Sequence, residues 1–306
     1  MSPLDVIHRY RKLTFSSTNT EFFVRFVNLL LNDVTYVLDE SFNSFIKIHE
    51  LTKELAHAEG MDETLRKEKT EHLEDQKGRA KSYMGLTTET ISMLKLFTEA
   101  LATSFTMPEI VQRLADMLDY NVEALVGPKR RNLVVEAPEQ YGFNPKLLLS
   151  DLFDVYLNLG KKEPFRLAVA RDGRSYKHSN FQETIRLMQT YALKSKEEIE
   201  TFSKLADDIA AVHAADQQSE EDLGEIPDEL LDPIMGSLML DPVLLPSSKQ
   251  VVDRSTIRSH LLSDPTDPFN RVPLKMEDVL AAQEKKKEID DFIAARKAEK
   301  MDTSSG

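Results

Sequence analysis

Asp232-Pro-Ile-Met-Gly-Ser237, Asp241-Pro-Val243 and Asp264-Pro-Thr-Asp-Pro-Phe-Asn-Arg271 place proline-bearing loops on either side of a short helix that starts at about Asp253. Prolines at 233, 242, 246, 265, 268 and 273 fix φ and remove backbone donors, so these loops are stiff before any partner arrives. Asp232, Asp241, Asp264 and Asp267 each stand before a proline or in the same turn as one, where a short carboxylate accepts backbone N–H groups and closes an Asx turn. Arg254 and Arg271 are candidates to bridge such carboxylates. Leu238, Val243, Val252, Ile257, Leu261 and Leu274 supply a small apolar core that polar networks must complete.

The whole chain has 306 residues, 41% hydrophobic and 30% charged, which suits one large domain or two ordinary ones. Acidic residues outnumber Lys and Arg 52 to 39; the resulting charge of −13 argues against a nucleic-acid partner and favours a basic one. Cysteine is absent, which excludes disulfides, thiolate metal sites and a thioester carried on this chain. There is no phosphate loop, paired-glycine dinucleotide turn or Gly-x-Ser-x-Gly, and His49-Glu50 is followed by Lys53 where a zinc protease needs its second His. Neither a metal nor a cofactor is therefore expected. His8, His49, His57, His72, His178 and His213 read as ordinary core or surface residues, whereas His260 stands apart because it sits on the helix between the two loops. The opening Met1-Ser-Pro-Leu4 lacks a signal-peptide pattern, and Arg25, Asn28, Asn32 and Asp33 interrupt the most apolar segment. The expectation is a reducing, intracellular setting with no membrane span.

Upstream of the loops the periodicity is helical. Phe22, Phe23, Phe26, Val27, Leu30, Leu31, Val34 and Val37 predict a helix buried between others, and Phe42, Phe45, Ile46, Ile48, Leu51 and Leu55 predict a second packing back on it. Residues 63–81, dense in Lys and Glu, read as a solvated helix or a link. Ile91, Leu94, Phe97, Leu101 and Phe105 mark another helix, and Thr106-Met-Pro-Glu109 resembles a capping box that opens the next. Residues 129–144 read as a long surface loop whose Lys129-Arg130-Arg131 run is solvated. Asn144-Pro145 opens a helix that Gly160 closes, and Ser179-x-x-Gln182 and Ser195-x-x-Glu198 resemble further capping boxes. Roughly eight helices without a repeat period predict a mostly α, irregular helical-repeat (armadillo-like) core over residues 1–213. An acidic linker over 214–225, a compact α+β domain over 226–298 and a disordered tail over 299–306 complete the expected organisation.

Ile226-Pro-Asp-Glu-Leu-Leu-Asp-Pro-Ile-Met235, Leu238-Met-Leu-Asp-Pro-Val243, Asp253-Arg-Ser-Thr-Ile257 and Asp264-Pro-Thr-Asp-Pro-Phe-Asn-Arg271 together resemble a U-box. More narrowly they resemble the Ufd2-type ubiquitin conjugation factor family of chain-elongating U-box ubiquitin ligases. Glu21-Phe-Phe-Val-Arg-Phe-Val-Asn-Leu-Leu30, Leu38-Asp-Glu-Ser41 and Tyr141-Gly-Phe-Asn-Pro-Lys146 extend the likeness into the helical region. Members of that family are longer at the N-terminus, so the resemblance is to their C-terminal third. It implies a RING-like fold in which hydrogen bonds and ion pairs stand in for two zinc ions. It also implies a transferase that forms no covalent intermediate of its own and serves proteasomal degradation. The box would dock a ubiquitin-conjugating enzyme and promote attack by a lysine of a substrate, or of a prior ubiquitin, on that enzyme's thioester. Carried over onto matching positions, Ile234, His260 and Pro268 would line the docking groove, and Arg271 would bond across ubiquitin and the conjugating enzyme as the catalytic residue. Ser247-Ser-Lys249 departs from the family, in which many U-boxes place Gly at this turn. The resemblance further implies ubiquitylated substrates, a valosin-containing AAA ATPase and another ubiquitin ligase as partners, neither nucleic acid nor membrane, and a place in cytoplasm and nucleus. The alternative from another class is a non-catalytic helical scaffold or adaptor for ubiquitin-pathway proteins.

Overall fold

The computed structural model describes residues 17–57 and 61–303, in a chain that divides into two compact units between Val212 and His213. His8 and residues 304–306 of the expected tail lie outside the described residues. In the first unit, α1 (Ser17–Ala56) and α2 (Glu63–Phe105) form a long antiparallel pair. The direction shows in the partners: Phe23 meets Phe105, Phe26 meets Phe97, Tyr36 meets Tyr83, and the Glu40–Arg79 and Glu54–Lys69 ion pairs follow. Residues 21–38 and 42–55, which periodicity separates into two helices, are one, because no Gly or Pro interrupts Leu38-Asp-Glu-Ser-Phe42. The charged run 63–81 is likewise the first half of α2, solvated except where Leu73, Gln76 and Ala80 are buried.

Shorter helices follow: α3 (Val111–Val126), α4 (Pro145–Gly160), α5 (Glu163–Ala170), α6 (His178–Thr190) and α7 (Lys196–Leu223), the last running past the boundary at Val212. Two 3-10 turns, Pro128–Leu133 and Pro138–Tyr141, order the expected loop and bury Leu133 and Tyr141. Asn144 caps α4 by accepting from the Leu147 N–H at 3.1 Å, and Ser195 and Glu198 close a reciprocal box at α7 with bonds of 3.2 and 2.8 Å. The other two expected boxes do not form. Thr106 donates back to the Thr103 carbonyl while a turn at Met107 precedes α3, and α6 starts one residue before Ser179. Phe153, Tyr156, Phe165, Phe181 and Phe202 stack or meet edge-on at the centre. Gly160 lets the chain pass close to Leu205, whose Cδ2 would lie 2.5 Å from an added Cβ.

The acidic stretch expected to link the two parts is helical for most of its length, since α7 continues through Leu223. Ala214, Ala215, Gln217, Gln218, Glu220 and Glu221 are good helix formers although they bring no large apolar side chain. The helix stops at Gly224, whose φ of 66° is the left-handed conformation that favours glycine.

The second unit carries a three-stranded antiparallel sheet of order β2-β1-β3, with β1 (Pro242–Leu244), β2 (Val251–Asp253) and β3 (Leu280–Ala281). Between β2 and β3 lies α8 (Arg254–Ser263), and α9 (Gln283–Thr303) follows, extending helix into the expected tail. Val243, Leu245, Val252, Ile257 and Leu274 form one buried cluster, with Leu261 packed against it. Leu238 instead joins a second cluster of Leu230, Met239 and Ile289, the last supplied by α9. The chain is thus mostly helical with a small α+β unit at its C-terminal end.

Asp119 of α3 is buried, its Oδ1 accepting the Tyr156 hydroxyl while its Oδ2 has no protein donor. Burial pushes this carboxyl well above the ordinary range against the pull of Tyr156, with Asp172 and Asp116 adding to the rise. Burial likewise pushes neighbouring Asp116 up to about 6. A carboxyl whose pKa rises on folding contributes stability that is complete below its unfolded value of about 3.9 and is lost as pH climbs through the folded value. Asp119→Asn keeps an oxygen for Tyr156 and carries no charge. It should raise the calorimetric unfolding midpoint of the helical unit at about pH 8 by roughly 2–4 °C, with the gain shrinking toward about pH 4. A lower midpoint at the higher pH would contradict the assignment.

Candidate functional site

Three turns of one geometry recur in the second unit. In the first, residues 232–237, the Asp232 N–H donates to the Ser237 carbonyl at 2.7 Å and the Gly236 N–H to the Asp232 carbonyl at 2.7 Å. The hairpin turn 245–250 repeats this with Leu245 to Gln250 at 2.8 Å and Lys249 to Leu245 at 3.0 Å. The turn 267–272 repeats it again with Asp267 to Val272 at 2.8 Å and Arg271 to Asp267 at 2.8 Å. Each has proline second and a left-handed residue fifth: Gly236 at φ 68°, Lys249 at 59° and Arg271 at 64°. Lys249 therefore adopts the left-handed conformation that glycine would adopt without strain, and Ser247-Ser-Lys249 keeps the geometry of the other two turns.

The first side chain of each turn points inward. Leu245 is core, whereas Asp232 and Asp267, 1% and 0% exposed, are acidic side chains. Asp232 Oδ1 accepts from the Ile234 and Met235 amides at 2.8 and 2.9 Å, and its Oδ2 reaches the Asp253 amide at 2.6 Å. Asp267 Oδ1 accepts from the Phe269 amide at 2.9 Å, and its Oδ2 takes the Ser247 hydroxyl at 2.7 Å and the Ser248 amide at 3.2 Å. Asp253, whose amide Asp232 holds, extends that network. Its Oδ1 caps α8 through the Ser255 amide at 2.9 Å, and its Oδ2 accepts from the Leu240 and Asp241 amides at 2.7 and 2.9 Å.

Burial alone would raise the carboxyls of Asp253 and Asp267, but the donors converging on them prevail and hold both below the ordinary value. Exposed pairs add to the frame: Arg254 Nε lies 2.7 Å from Asp241 and Arg271 Nη1 lies 3.0 Å from Asp264. Among the described residues no group of three or more His, Cys, Asp or Glu is placed to hold a metal ion.

Ile234 stands at the tip of the first turn, 43% exposed beside Met235 at 59%. Pro268 is half-buried at the third turn, and the next residue, Phe269, is 42% exposed. His260, half-buried on α8, uses Nε2 to donate to the Thr266 carbonyl at 2.9 Å, so its ring ties the helix to the segment leading into the third turn. Arg271 is the most open of these side chains, 77% exposed. Sequence reasoning names Ile234 and Pro268 but passes over Met235 and Phe269, whose signal is a large apolar residue two or three places after an Asx-turn aspartate. It also passes over Asp253 Oδ2 and Ser247, which act across the fold and leave no local pattern.

A model of the ubiquitin elongating factor core matches residues 5–210 and a U-box domain model matches residues 226–298. The chain is 46% identical over 282 residues to Ubiquitin conjugation factor E4 of Schizosaccharomyces pombe, covering 92% of this chain and 28% of that protein. It is 42% identical over 289 residues to E4 ubiquitin-protein ligase UFD2 of Saccharomyces cerevisiae, with 93% and 30% covered. To Ubiquitin conjugation factor E4 A of Pongo abelii it is 40% identical over 293 residues, with 95% and 27% covered. The chain thus spans between a quarter and a third of the length of these curated relatives.

Removing a buried carboxylate that several amides face leaves donors unsatisfied, whereas removing an exposed ion-pair partner does not. Asp232→Ala should destabilise the unit by about 2–4 kcal/mol, seen as faster amide exchange across residues 226–298 of the full chain. Asp241→Ala should cost less than about 1 kcal/mol. Equal effects would show that the buried network is not what holds the turns.

Proposed function

The chain belongs to the ubiquitin elongating factor family of U-box proteins, and we propose that it binds a ubiquitin-loaded conjugating enzyme and promotes ubiquitin transfer to a lysine of a substrate or of an earlier ubiquitin. The observation that carries this reading is the pairing of two stiff, aspartate-anchored turns whose apolar tips, Ile234 with Met235 and Pro268 with Phe269, stand open to a partner. Prefixed turns lose little freedom on docking, so their apolar area is available to affinity. His260 contributes by fixing the third turn to α8.

In the reaction the lysine amine attacks the thioester carbonyl carbon. The carbon–sulfur bond breaks, the conjugating enzyme's thiolate leaves, and an isopeptide forms as the amine gives up a proton. With no cysteine, this chain provides no covalent stop for ubiquitin. Its contribution is orientation. Arg271 offers guanidinium donors at the open edge of the third turn, and a bond from it across ubiquitin and the conjugating enzyme would hold the thioester in a reactive pose. One charge-assisted bond of roughly 1.5–3 kcal/mol corresponds to about ten- to a hundredfold in rate.

The same reading has ubiquitylated substrates delivered toward proteasomal degradation, with a valosin-containing AAA ATPase and another ubiquitin ligase as partners of the full chain. Titration of each purified partner against the chain tests that extension, and absence of binding removes it.

Discharge of a ubiquitin-loaded conjugating enzyme onto free lysine tests the core proposal. The wild-type chain should accelerate discharge. Ile234→Ala should weaken docking by about tenfold, and Arg271→Ala should slow discharge by about ten- to a hundredfold with docking intact. No acceleration by the wild-type chain would favour the scaffold or adaptor reading. Loss of docking in Arg271→Ala would assign that residue to folding.

A further inference from the structure

Arg271 is not an unattached side chain on a loop. Its Nη1 donates to Asp264 Oδ2 at 3.0 Å, and Asp264 Oδ1 accepts the Thr266 hydroxyl at 2.8 Å. Asp264 closes the C-terminal end of α8, where its N–H donates to the His260 carbonyl at 2.9 Å. The Thr266 carbonyl in turn receives His260 Nε2 at 2.9 Å. Both routes lead from the guanidinium back to the helix. The anchor is the better held end, since the Asp264 side chain is 37% exposed and that of Arg271 is 77%.

The backbone adds a second constraint. Arg271 sits at φ 64°, where the matching position of the first turn has Gly236 at 68°. A residue with a β-carbon is disfavoured there, and its side-chain direction is set by the turn rather than by a choice of strand or helix geometry. A guanidinium carries five N–H donors in a planar fork, and a single contact to Asp264 engages one nitrogen of it. Turn and carboxylate together define the direction in which the rest of the fork faces.

We propose that Asp264 is a positioning residue for ubiquitin transfer, holding the Arg271 guanidinium so that its remaining donors are presented to acceptors of the docked conjugate. This rests on the role given to Arg271 above. Asp264 touches neither substrate nor thioester; it acts by reducing the rotamer freedom that Arg271 must give up when the conjugate closes. An exposed ion pair is a modest restraint, and the effect on rate is correspondingly modest.

The test is a double-mutant cycle in lysine discharge with the full chain: wild type, Asp264→Ala, Arg271→Ala and the double variant. Asp264→Ala should lower the maximal discharge rate by about two- to fivefold, the size expected of an exposed ion pair. The half-saturating concentration of conjugating enzyme and the unfolding midpoint should stay as in the wild type. In the Arg271→Ala background, Asp264→Ala should have no effect. An unchanged or faster rate in Asp264→Ala, with Arg271→Ala impaired, overturns this inference and leaves the proposed function standing. Equal losses in both backgrounds also overturn it, because Asp264 would then act independently of Arg271. If Arg271→Ala is itself unimpaired, the reading beneath it fails. Should the alanine variant not fold, Asp264→Asn carries the test: it retains an accepting oxygen, and its loss must again vanish without Arg271.

Discussion

The second unit depends on carboxylates that accept backbone N–H groups inside the protein. Asp232 and Asp267 are buried, and each divides its two oxygens between its own turn and another segment. A carboxylate taken out of water is costly when alone, but charge-assisted bonds to several fixed donors offset that cost. Asp253 joins β2, the start of α8 and residues 240–241 in the same way. The apolar clusters here are small, with five and three buried members, so these polar links help decide where the turns stand. Ile234 and Phe269 each stand two residues after an aspartate that fixes the turn beneath them.

The same residue type behaves oppositely in the helical unit, and the difference lies in the depth of burial, the acidic neighbours and the number of donors. Asp119 and Asp267 are both buried, yet the carboxyl of Asp119 is pushed well up while that of Asp267 is held down. Asp119 receives the Tyr156 hydroxyl on one oxygen and has Asp116 and Asp172 for neighbours. Asp267 receives two amides and a hydroxyl. Burial favours the neutral acid until enough donors face the ion. The helical unit stacks aromatic side chains around Tyr156 and leaves few donors to spare, whereas the proline turns supply amides that no strand or helix consumes.

What is legible in the sequence is local. Asp-Pro turns, the helix start at Asp253, the Asn144 and Ser195 caps, and Arg254 and Arg271 as carboxylate partners all follow from residues within a few places of one another or from the chemistry of the side chain. Links that close across the chain are not legible. Ser247 reaches Asp267, Leu240 reaches Asp253, and Ile289 completes the cluster of Leu230 and Met239. The end of α4 at Gly160 is readable, whereas the end of α7 at Gly224 shows itself only through the positive φ there. Between residues 38 and 42 nothing stops the helix, so periodicity suggests two helices where there is one. The acidic segment before Gly224 shows that a stretch short of apolar side chains is still helical when helix propensity is high. Family resemblance adds what spacing does not, the proposal of docking and catalytic roles for Ile234, His260, Pro268 and Arg271, whose positions are those of two turn tips, a tie and an exposed cation.

The central claim is that ionised aspartates hold the turns, and a pH titration followed by NMR addresses it directly. The side-chain carboxyl carbon of Asp267 and the amides of Phe269 and Ser248 should be followed together in the full chain. A carboxyl depressed on folding contributes stability above its unfolded pKa that is lost as pH falls through the folded value. The Asp267 carboxyl should therefore titrate below about 3.9, with the two amides losing hydrogen-bonded shifts and exchange protection over the same interval. A carboxyl that titrates at or above that ordinary value, or amides that stay protected after it is protonated, would contradict the account.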